Sequence, residues 1–284
     1  MEQILDVRGL TKAYPGFLLD HVSFSLNPGR ITGLIGRNGA GKTTTLHSLL
    51  SFTAPDTGEI RFWGKPLQEN ALEIRQKIGF VSAGMHFYGR KKLRRITAVT
   101  RDFYAAWDDA LYRHYLQTFS LDEEKTPDAL SNGMKIKYML ALALSHGAEL
   151  LILDEPTSGL DPFSREELLE IFLNLAGAGK TILFSTHITS DLDKTADDIL
   201  YLSGGKLRAA DTLRHFRESW RLVSCPDAEA PGMPLIGARR AKEGFTALIP
   251  AEAAPDCPFP SREATLEELM VHLEKEADTC SENC

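Results

Sequence analysis

Long apolar runs are missing from the 284-residue sequence, and none approaches the roughly 20 residues that a helix needs to cross a bilayer. The opening residues, MEQILDVRG, lack the basic and apolar segments of a secretory signal peptide. An excess of basic charge is missing too, because 39 acidic residues against 32 basic ones leave a formal net charge of -7. Proteins held on nucleic acid by a broad positive field usually show the opposite balance. We therefore expect a cytosolic protein that does not bind nucleic acid.

Cysteine is scarce and confined to the last quarter of the chain, at Cys225, Cys257, Cys280 and Cys284. No two cysteines form a CxxC pair, and no histidine stands at metal-ligand spacing. We expect reduced thiols, with a metal or redox site as the alternative. The rest of the composition, 43% hydrophobic and 25% charged, suits one large α/β domain with a small appendage.

Strand and helix patterns alternate along much of the chain. QILDVRGL, HVSFSL, ITGLIG, GEIRFWG and IGFVS predict strands, and KTTTLHSLLS and ALEIRQK predict helices. Further on, LLILD and TILFST predict buried strands, with a helix between them that begins at Pro162 behind Asp161 as its cap. The segment DILYLSGGKLRAA predicts a hairpin that turns at Gly204 and Gly205. This alternation indicates a sheet covered by helices.

Two segments depart from the alternation. Residues 97–146 have no strand pattern and contain three helical stretches, around ITAVTRDFYAAW, DALYRHYLQTF and the segment DALSNGMKIKYMLALAL. We predict a helical insertion at about residues 84–146, within a domain of residues 1–220. Residues 221–284 are rich in proline, alanine and acid before a final helix pattern, TLEELMVHLEKEA, and we predict a small C-terminal extension of unassigned role.

The segment GRNGAGKT matches the phosphate-loop pattern GxxxxGK[ST] and stands between a buried strand and a helix, as that pattern requires. Glycines let backbone N–H groups surround phosphate oxygens, and the helix N-terminus adds partial positive charge. Lys42 is placed to neutralise the β- and γ-phosphates, and Thr43 offers a hydroxyl to Mg²⁺. The nucleotide-binding residues predicted here are Gly36, Asn38, Gly39, Ala40, Gly41, Lys42 and Thr43.

Three further candidates follow apolar strands. Asp154 ends LLILD, where it can hold Mg²⁺ together with Thr43, and Glu155 lies one residue beyond, where it can polarise an attacking water. His187 follows TILFST, where it can donate a hydrogen bond to a γ-phosphate. An Asp-Glu pair after a strand is common, so the phosphate loop is what gives these residues a catalytic interpretation.

The helix predicted in DALSNGMKIKYMLALAL begins with residues that weaken helices. Ser131 is a good N-cap, but Gly133 in the first turn costs about 1 kcal/mol relative to alanine. From Met134 onward the segment is rich in helix formers. A glycine at this position indicates that something must approach the helix end closely.

The order GRNGAGKT, LSNGM, LLILDEP, SGLD and STH resembles the nucleotide-binding subunits of ATP-binding-cassette (ABC) transporters, and most closely those of bacterial exporters with separate permease chains. The resemblance covers about residues 3–215. It implies an α/β fold, a P-loop NTPase core of ABC type with an antiparallel β subdomain and a helical insertion. It also implies hydrolysis of ATP with Mg²⁺ at the cytoplasmic face of the cell membrane. The implied partners are a transmembrane permease and a second ABC subunit, identical or homologous.

The resemblance also assigns roles within a pair of chains. Two copies would close head to tail over two ATP molecules, so that the signature segment of one copy faces the phosphate loop of the other. A β-carbon at Gly133 would keep the backbone away from that phosphate. The signature segment comprises Ser131, Asn132, Gly133 and Met134, and the loop that couples the two sites comprises Ser158, Gly159, Leu160 and Asp161.

Within one chain, Glu155 matches the general base, His187 the switch histidine and Thr44 the residue that reaches the α-phosphate. Tyr14 matches the aromatic residue that stacks on adenine, with a strand-edge tyrosine as the alternative. 

Three positions depart from the family pattern. The family usually has glycine at Asn132 and glutamine at Met134, and Ala83 replaces a glutamine that touches magnesium and senses the membrane subunit. Asn132 tolerates unusual backbone angles, whereas Met134 and Ala83 lose amide groups. These losses favour slower hydrolysis, but we expect an active ATPase, because Lys42, Asp154, Glu155 and His187 are all retained.

A basic segment, GRKKLRRITAVTR, follows Ala83 and contains Arg90, Lys91, Lys92, Arg94, Arg95 and Arg101. A solvated basic surface is one interpretation. The other is a contact with cytoplasmic helices of the permease or with anionic lipid headgroups.

Two other functional classes are open. The altered residues Ala83 and Met134 favour an ATP-responsive regulatory or sensor subunit with weak hydrolysis. Soluble ABC ATPases of ribosomes or DNA fit less well, because the ribosomal ones typically carry two cassettes and the DNA-repair ones carry long coiled-coil insertions.

Overall fold

The computed structural model describes residues 3–82, 89–226 and 233–282, with side chains in the last helix described as far as residue 276. In these residues the strands are β1 (Leu5–Tyr14), β2 (Phe17–Leu26), β3 (Ile31–Ile35), β4 (Thr57–Phe62), β5 (Lys65–Pro66), β6 (Ile78–Ser82), β7 (Leu150–Asp154), β8 (Thr181–Thr186), β9 (Asp198–Ser203), β10 (Lys206–Thr212), β11 (Trp220–Cys225), β12 (Ile236–Arg240), β13 (Phe245–Pro250) and β14 (Ser261–Glu263). The helices are α1 (Lys42–Leu49), α2 (Leu67–Gln76), α3 (Leu93–Arg101), α4 (Asp109–Thr118), α5 (Asn132–Ser145), α6 (Pro162–Gly177), α7 (Thr189–Thr195), α8 (Leu213–Glu218) and α9 (Leu266–Glu282).

The central sheet has the strand order β10-β9-β3-β8-β7-β6 and is parallel except for the β9–β10 hairpin. All five residues of β7 are buried, as expected for a strand covered on both faces. Leu151 and Leu153 belong to one hydrophobic cluster, whereas Leu150 and Ile152 belong to the other. Each fully buried aliphatic side chain of this kind contributes roughly 1.5–3 kcal/mol. The predicted buried strands and the hairpin at Gly204 are confirmed.

An antiparallel sheet of order β2-β1-β4-β5 supplies much of the second cluster. It is the predicted antiparallel β subdomain, and the turn between β2 and β3 contains Gly29 at a φ of 71°. The predicted caps are also confirmed, because Ser131 accepts a hydrogen bond at the start of α5 and Asp161 accepts two at the start of α6.

The helical insertion contains α3, α4 and α5, but the helix predicted over ITAVTRDFYAAW is placed wrongly. The structure begins α3 at Leu93 and ends it at Arg101. Beyond Arg101, Gln76 donates to the carbonyl of Phe103 and accepts from the amide of Ala105. These bonds satisfy backbone groups outside the helix, and the ring of Tyr104 stacks at 3.7 Å between ring centroids on His146. Long-range contacts therefore override the local helix pattern.

The C-terminal extension contains a sheet that the sequence patterns missed. Its strands pair antiparallel in the order β12-β13-β11-β14, and α9 packs against β12 and α7. Within α9 the buried carboxylate of Glu274 accepts hydrogen bonds from the hydroxyls of Tyr201, at 3.0 Å, and Ser203, at 3.1 Å. Because β11 begins at Trp220, the predicted boundary between residues 220 and 221 lies one residue inside a strand, and the division into domains stays a prediction.

The remaining observations concern the cysteines, metal-binding clusters and membrane spans. Cys225 is buried, with Sγ donating to the carbonyl of Phe245 at 3.7 Å, and Cys257 is partly buried, whereas the side chains of Cys280 and Cys284 lie outside the described residues. Across residues 3–82, 89–226 and 233–282, no cluster of histidine, cysteine and carboxylate side chains has an arrangement that could hold a metal. No described helix combines the length and apolarity needed for a membrane span.

Candidate nucleotide-binding site

The loop between β3 and α1 has the geometry of an anion site. Gly41, immediately before α1, has a φ of 109°, which side chains of L-residues rarely allow. A β-carbon added at Gly36 would lie 2.2 Å from the carbonyl oxygen of Leu202. The chain can therefore turn this tightly only with glycine at both positions. Because Gly41 offers no capping side chain, the first N–H groups of α1 are left for a ligand.

Lys42 lies back across this loop. Its side chain is only 6% exposed, and Nζ donates to the carbonyl of Gly36 at 2.8 Å. The same Nζ is 3.4 Å from Oε1 of Glu155. A buried ammonium that is already paired with a carboxylate can exchange that partner for a phosphate oxygen.

Thr43 and Asp154 bring hard oxygen donors together. Oγ1 of Thr43 lies 3.2 Å from Oδ2 of Asp154, at the start of α1 and the end of β7. Ser185 in β8 donates from Oγ to Oδ1 of Asp154 at 2.6 Å and accepts from the amide of Glu155 at 2.9 Å. Ser185 is a residue that the sequence reasoning missed, although a serine in an otherwise apolar strand is a usable signal. A hydroxyl and a carboxylate at this separation fit Mg²⁺, which prefers oxygen ligands.

Glu155 and His187 meet at the carboxyl ends of two neighbouring parallel strands. Nδ1 of His187 lies 2.8 Å from Oε2 of Glu155, and their side chains are 47% and 23% exposed. Glu155 has a φ of 50°, an unfavourable angle for a residue with a β-carbon. Backbone strain of this kind is found at functional sites, where the surrounding structure maintains it.

Lys42, Thr43, Glu155 and His187 open into one cleft of about 650 Å³. The cleft is lined by Gly16, Phe17, Arg37, Asn38, Gly39, Gly41, Lys42, Thr43, Thr44, Glu155, Ser158 and His187. Phe17 is an aromatic wall that the sequence reasoning missed. Tyr14 is 42% exposed at the end of β1 and is not among these lining residues, so its adenine contact stays a prediction. A second cleft of about 730 Å³ lies across Arg37 and His187 and is walled by α9.

The signature segment lies outside the cleft of its own chain. Ser131 accepts from the amide of Met134 at 3.2 Å, and the side chain of Met134 packs partly buried against the core. In the loop before α6, Ser158 reaches the cleft, whereas Leu160 is buried and Asp161 caps α6. The hydroxyl of Ser164 holds the pKa of Asp161 below its usual range. The roles of the remaining predicted positions, Ala40, Asn132 and Gly133 and Gly159 among them, stay predictions.

The cations of the basic segment are exposed, and three of the six form ion pairs with acidic residues. Glu124 forms ion pairs with Lys92 and Arg94, at 2.7 and 3.0 Å. Arg101 lies 3.6 Å from Asp109. Ala83 lies outside the described residues.

A glycine loop between a buried strand and a helix, with an aspartate at the end of another parallel strand of the same sheet, defines a P-loop nucleoside triphosphatase. A sequence profile of the family described as ABC transporter matches residues 19–158. The bacitracin transport ATP-binding protein BcrA of Bacillus licheniformis is 33% identical over 222 residues, which cover 77% of this chain and 72% of that protein.

The Nod factor export ATP-binding protein I of Rhizobium meliloti (strain 1021) is 36% identical over 210 residues, which cover 71% of this chain and 62% of that protein. A solved structure described as an ATP binding subunit of an ABC transporter superposes with a TM-score of 0.68 at 29% identity. The superposition covers 75% of this chain and 92% of that one. The chain therefore belongs to the ABC transporter family, among its ATP-binding subunits, and the predicted fold class is confirmed.

Proposed function

We propose that this chain binds and hydrolyses MgATP as one of two ABC subunits, and that hydrolysis drives export through a separate permease at the cytoplasmic face of the membrane. The observation that carries the proposal is the convergence of Lys42, Glu155 and His187 on one cleft, beside the Thr43–Asp154 pair. Relatives named for bacitracin transport and Nod factor export support the coupling to export. The exported substrate would be set largely by the permease.

The chemistry of one turnover follows from the positions of these side chains. Backbone N–H groups of the loop and Lys42 hold the β- and γ-phosphates, and the glutamate accepts a proton as water attacks the γ-phosphorus. The bond from that phosphorus to the bridging oxygen breaks, which gives ADP and phosphate. His187 holds the carboxylate of Glu155 in place. Thr43 and Asp154 would hold Mg²⁺, which neutralises phosphate charge when bound.

A second subunit would complete the site, because the signature segment does not line the cleft of its own chain. Ser131 and the amide of Gly133, at the N-terminus of α5, would meet the γ-phosphate bound by the partner chain. ATP would close the pair of subunits, and hydrolysis with product release would reopen it.

The permease would dock beside the helical insertion. The side chains of Phe52, Val99 and Phe103 are 60%, 61% and 72% exposed. Phe52 lines a groove of about 290 Å³ together with Phe80 and Tyr104. Apolar residues this exposed, next to a basic segment, suit a cytoplasmic helix of a membrane protein.

The test is the substitution Glu155→Gln in the purified full chain, assayed with and without its permease. We expect turnover to fall at least about 100-fold, because a proton acceptor is lost, while ATP binding is retained. Glu170→Gln, which neutralises an exposed carboxylate of α6, is the matched control and should turn over ATP like the wild type. Unchanged turnover in Glu155→Gln would refute the assignment of the base.

The alternative is an ATP-responsive sensor subunit with weak hydrolysis. It is favoured by Met134, whose side chain packs against the core instead of presenting a polar group to a nucleotide. A sensor would show ATP-dependent dimerisation in sedimentation experiments, with negligible turnover even in the complex with the permease. An exporter subunit would show both ATP-dependent dimerisation and ATP turnover.

A further inference from the structure

Asp191 is a buried carboxylate that has no part in the chemistry proposed above. It lies in α7, four residues after His187, and is 1% exposed. Its Oδ2 accepts a hydrogen bond from Oγ1 of Thr157 at 2.6 Å. Thr157 is fully buried and follows Glu155 by two residues. The bond therefore joins the loop after β7 to the segment after β8.

The same two segments carry the Glu155–His187 contact. That contact lies at the mouth of the cleft, where the histidine is 47% exposed. Exposed pairs hold geometry weakly, because solvent competes for both partners. The Thr157–Asp191 bond is shielded from water, and hydrogen bonds to buried charged groups are stronger and cost more to break. The buried bond is thus the stronger constraint on the distance between the two segments.

Burying the polar network of Thr157, Asp191 and Arg165 costs more free energy than a purely structural contact would require. Burial raises the pKa of Asp191, which shows that the carboxylate is costly to ionise there. Its Oδ1 lies 4.0 Å from Nε of Arg165 in α6, and this Nε has no hydrogen-bond partner among the described residues. Apolar residues of the same volume often stabilise a core as well as or better than such groups. A positional role explains why polar groups are kept at this place.

We infer that Asp191, through the hydroxyl of Thr157, is the positioning residue that keeps Glu155 and His187 within hydrogen-bonding distance during ATP hydrolysis. The inference rests on the proposed ATPase function. Arg165 supplies the compensating positive charge without touching the carboxylate.

The first experiment compares Thr157→Val with Thr157→Ser, since these variants differ in whether a hydroxyl remains. Turnover is measured on the full chain, in the complex with its permease. We expect Thr157→Val to lower kcat on the order of tenfold, as small misplacements of catalytic groups do. KM for ATP should change less than about twofold, because the phosphate loop is untouched. Thr157→Ser should restore most of kcat.

The matched control is Thr195→Val, in the helix α7 that also contains Asp191. Oγ1 of Thr195 is also buried, and it donates at 2.7 Å to the backbone carbonyl of Asp191 instead of the carboxylate. Its loss should lower thermal stability about as much as the loss of the Thr157 hydroxyl, with kcat unchanged. A fall in kcat equal to that of Thr157→Val would reduce the effect to general destabilisation and overturn the inference.

A double variant tests whether the hydroxyl acts through the histidine. If it does, the double variant of Thr157→Val with His187→Ala should be about as slow as His187→Ala alone. Multiplied losses would mean independent actions and would contradict the inference.

Amide hydrogen exchange provides a readout that does not need turnover. Thr157→Val should speed exchange in residues 155–160 and 187–191 together, whereas Thr195→Val should leave residues 155–160 unaffected. Exchange in residues 155–160 like that of the wild type would overturn the inference. An inactive wild-type complex would instead refute the ATPase proposal, and the exchange result would still decide whether the bond couples the two segments.

Discussion

Gly133 is a glycine that the packing of its own chain does not require. A β-carbon built there would lie 3.5 Å from Cβ of Ser164, an ordinary contact, and Gly133 is not among the residues with positive φ. Gly36 is different, because an added β-carbon would collide with a backbone carbonyl. The reason for a glycine at position 133 therefore lies outside the monomer, and a phosphate carried by a second chain is the proposed reason.

Gly133→Ala tests whether the glycine is needed for contact with the partner's phosphate or for the stability of its own chain. We expect the free energy of unfolding to stay level or to rise by up to about 1 kcal/mol, since alanine is the better helix former. ATP turnover should fall at least on the order of tenfold, because a methyl group would stand between the helix end and the γ-phosphate. Urea denaturation and an ATPase assay measure the two effects.

Gly177→Ala is the control for this substitution. Gly177 ends α6, and an added β-carbon there would have no neighbour within 4 Å. The control should match Gly133→Ala in stability and the wild type in turnover. Equal turnover in both variants would contradict the proposed contact.

The candidate site could be predicted from sequence only where residues belong to contiguous motifs. The phosphate loop and the Asp154–Glu155 pair each occupy one short segment, and the order of their strands brings them together. Ser185, Thr157 and Asp191 were missed because their importance comes from buried polar contacts between segments about 30 residues apart. Such pairings depend on strand order and are invisible to local patterns.

At the level of secondary structure, prediction succeeded where both faces of a strand are covered. The buried strands of the central sheet are continuous apolar runs, so their patterns were unambiguous. The strands β11, β12 and β13 were missed because proline-rich and acidic linkers surround them. Their stability depends on packing against α9, which no local pattern reports.

The start of α9 gives a pH-dependent prediction. Glu268 accepts from the amide of Thr265 at 2.9 Å while its own amide donates to the Thr265 hydroxyl at 3.2 Å, which is a capping box. Arg262 forms an ion pair with the same carboxylate. Arg262 and Thr265 together lower the pKa of Glu268 to about 2 from a usual value of 4.5. A lowered pKa in the folded state contributes stability above pH 4.5 that is lost as the pH falls toward 2.

Glu268→Gln should therefore cost about 1 kcal/mol at neutral pH, and the difference from the wild type should shrink as the pH falls below 4.5. Urea midpoints at several pH values measure this difference. Glu267→Gln is the control, because the carboxylate of Glu267 has neither a hydrogen bond nor an ion pair with any described residue. A constant difference across that pH range would mean that the carboxylate charge does not stabilise the cap.

At the level of the whole molecule, the C-terminal extension packs against the preceding domain through α9. The helix contacts α7, the element that follows His187, and it forms one wall of the cleft of about 730 Å³ beside the phosphate loop. The buried carboxylate of Glu274 in α9 accepts hydrogen bonds from the hydroxyls of Tyr201 and Ser203 in β9. A movement of His187 and α7 would therefore be transmitted to the extension through packed elements.

The basic segment, which reaches the apolar groove at Thr100, is the surface proposed above for contact with the permease and the membrane. Arg90, Lys91 and Arg95 are exposed and form no ion pair with any residue in the described part of the chain, whereas Glu124 already neutralises part of the charge on Lys92 and Arg94. Unpaired cations near an anionic membrane surface contribute about 1 kcal/mol each. The unpaired set should therefore dominate the electrostatic attraction to the membrane and the permease.

Changing Arg90, Lys91 and Arg95 together to glutamate should release the chain from membranes that contain its permease. Release is measured by cosedimentation over a salt series, since screening weakens exposed contacts at higher ionic strength and should narrow the difference from the wild type. The control reverses three exposed cations elsewhere, Arg208, Arg240 and Lys242, and gives the same change in net charge. If both triple variants partition alike, net charge accounts for the effect. If only the first is released, the basic segment is a docking surface.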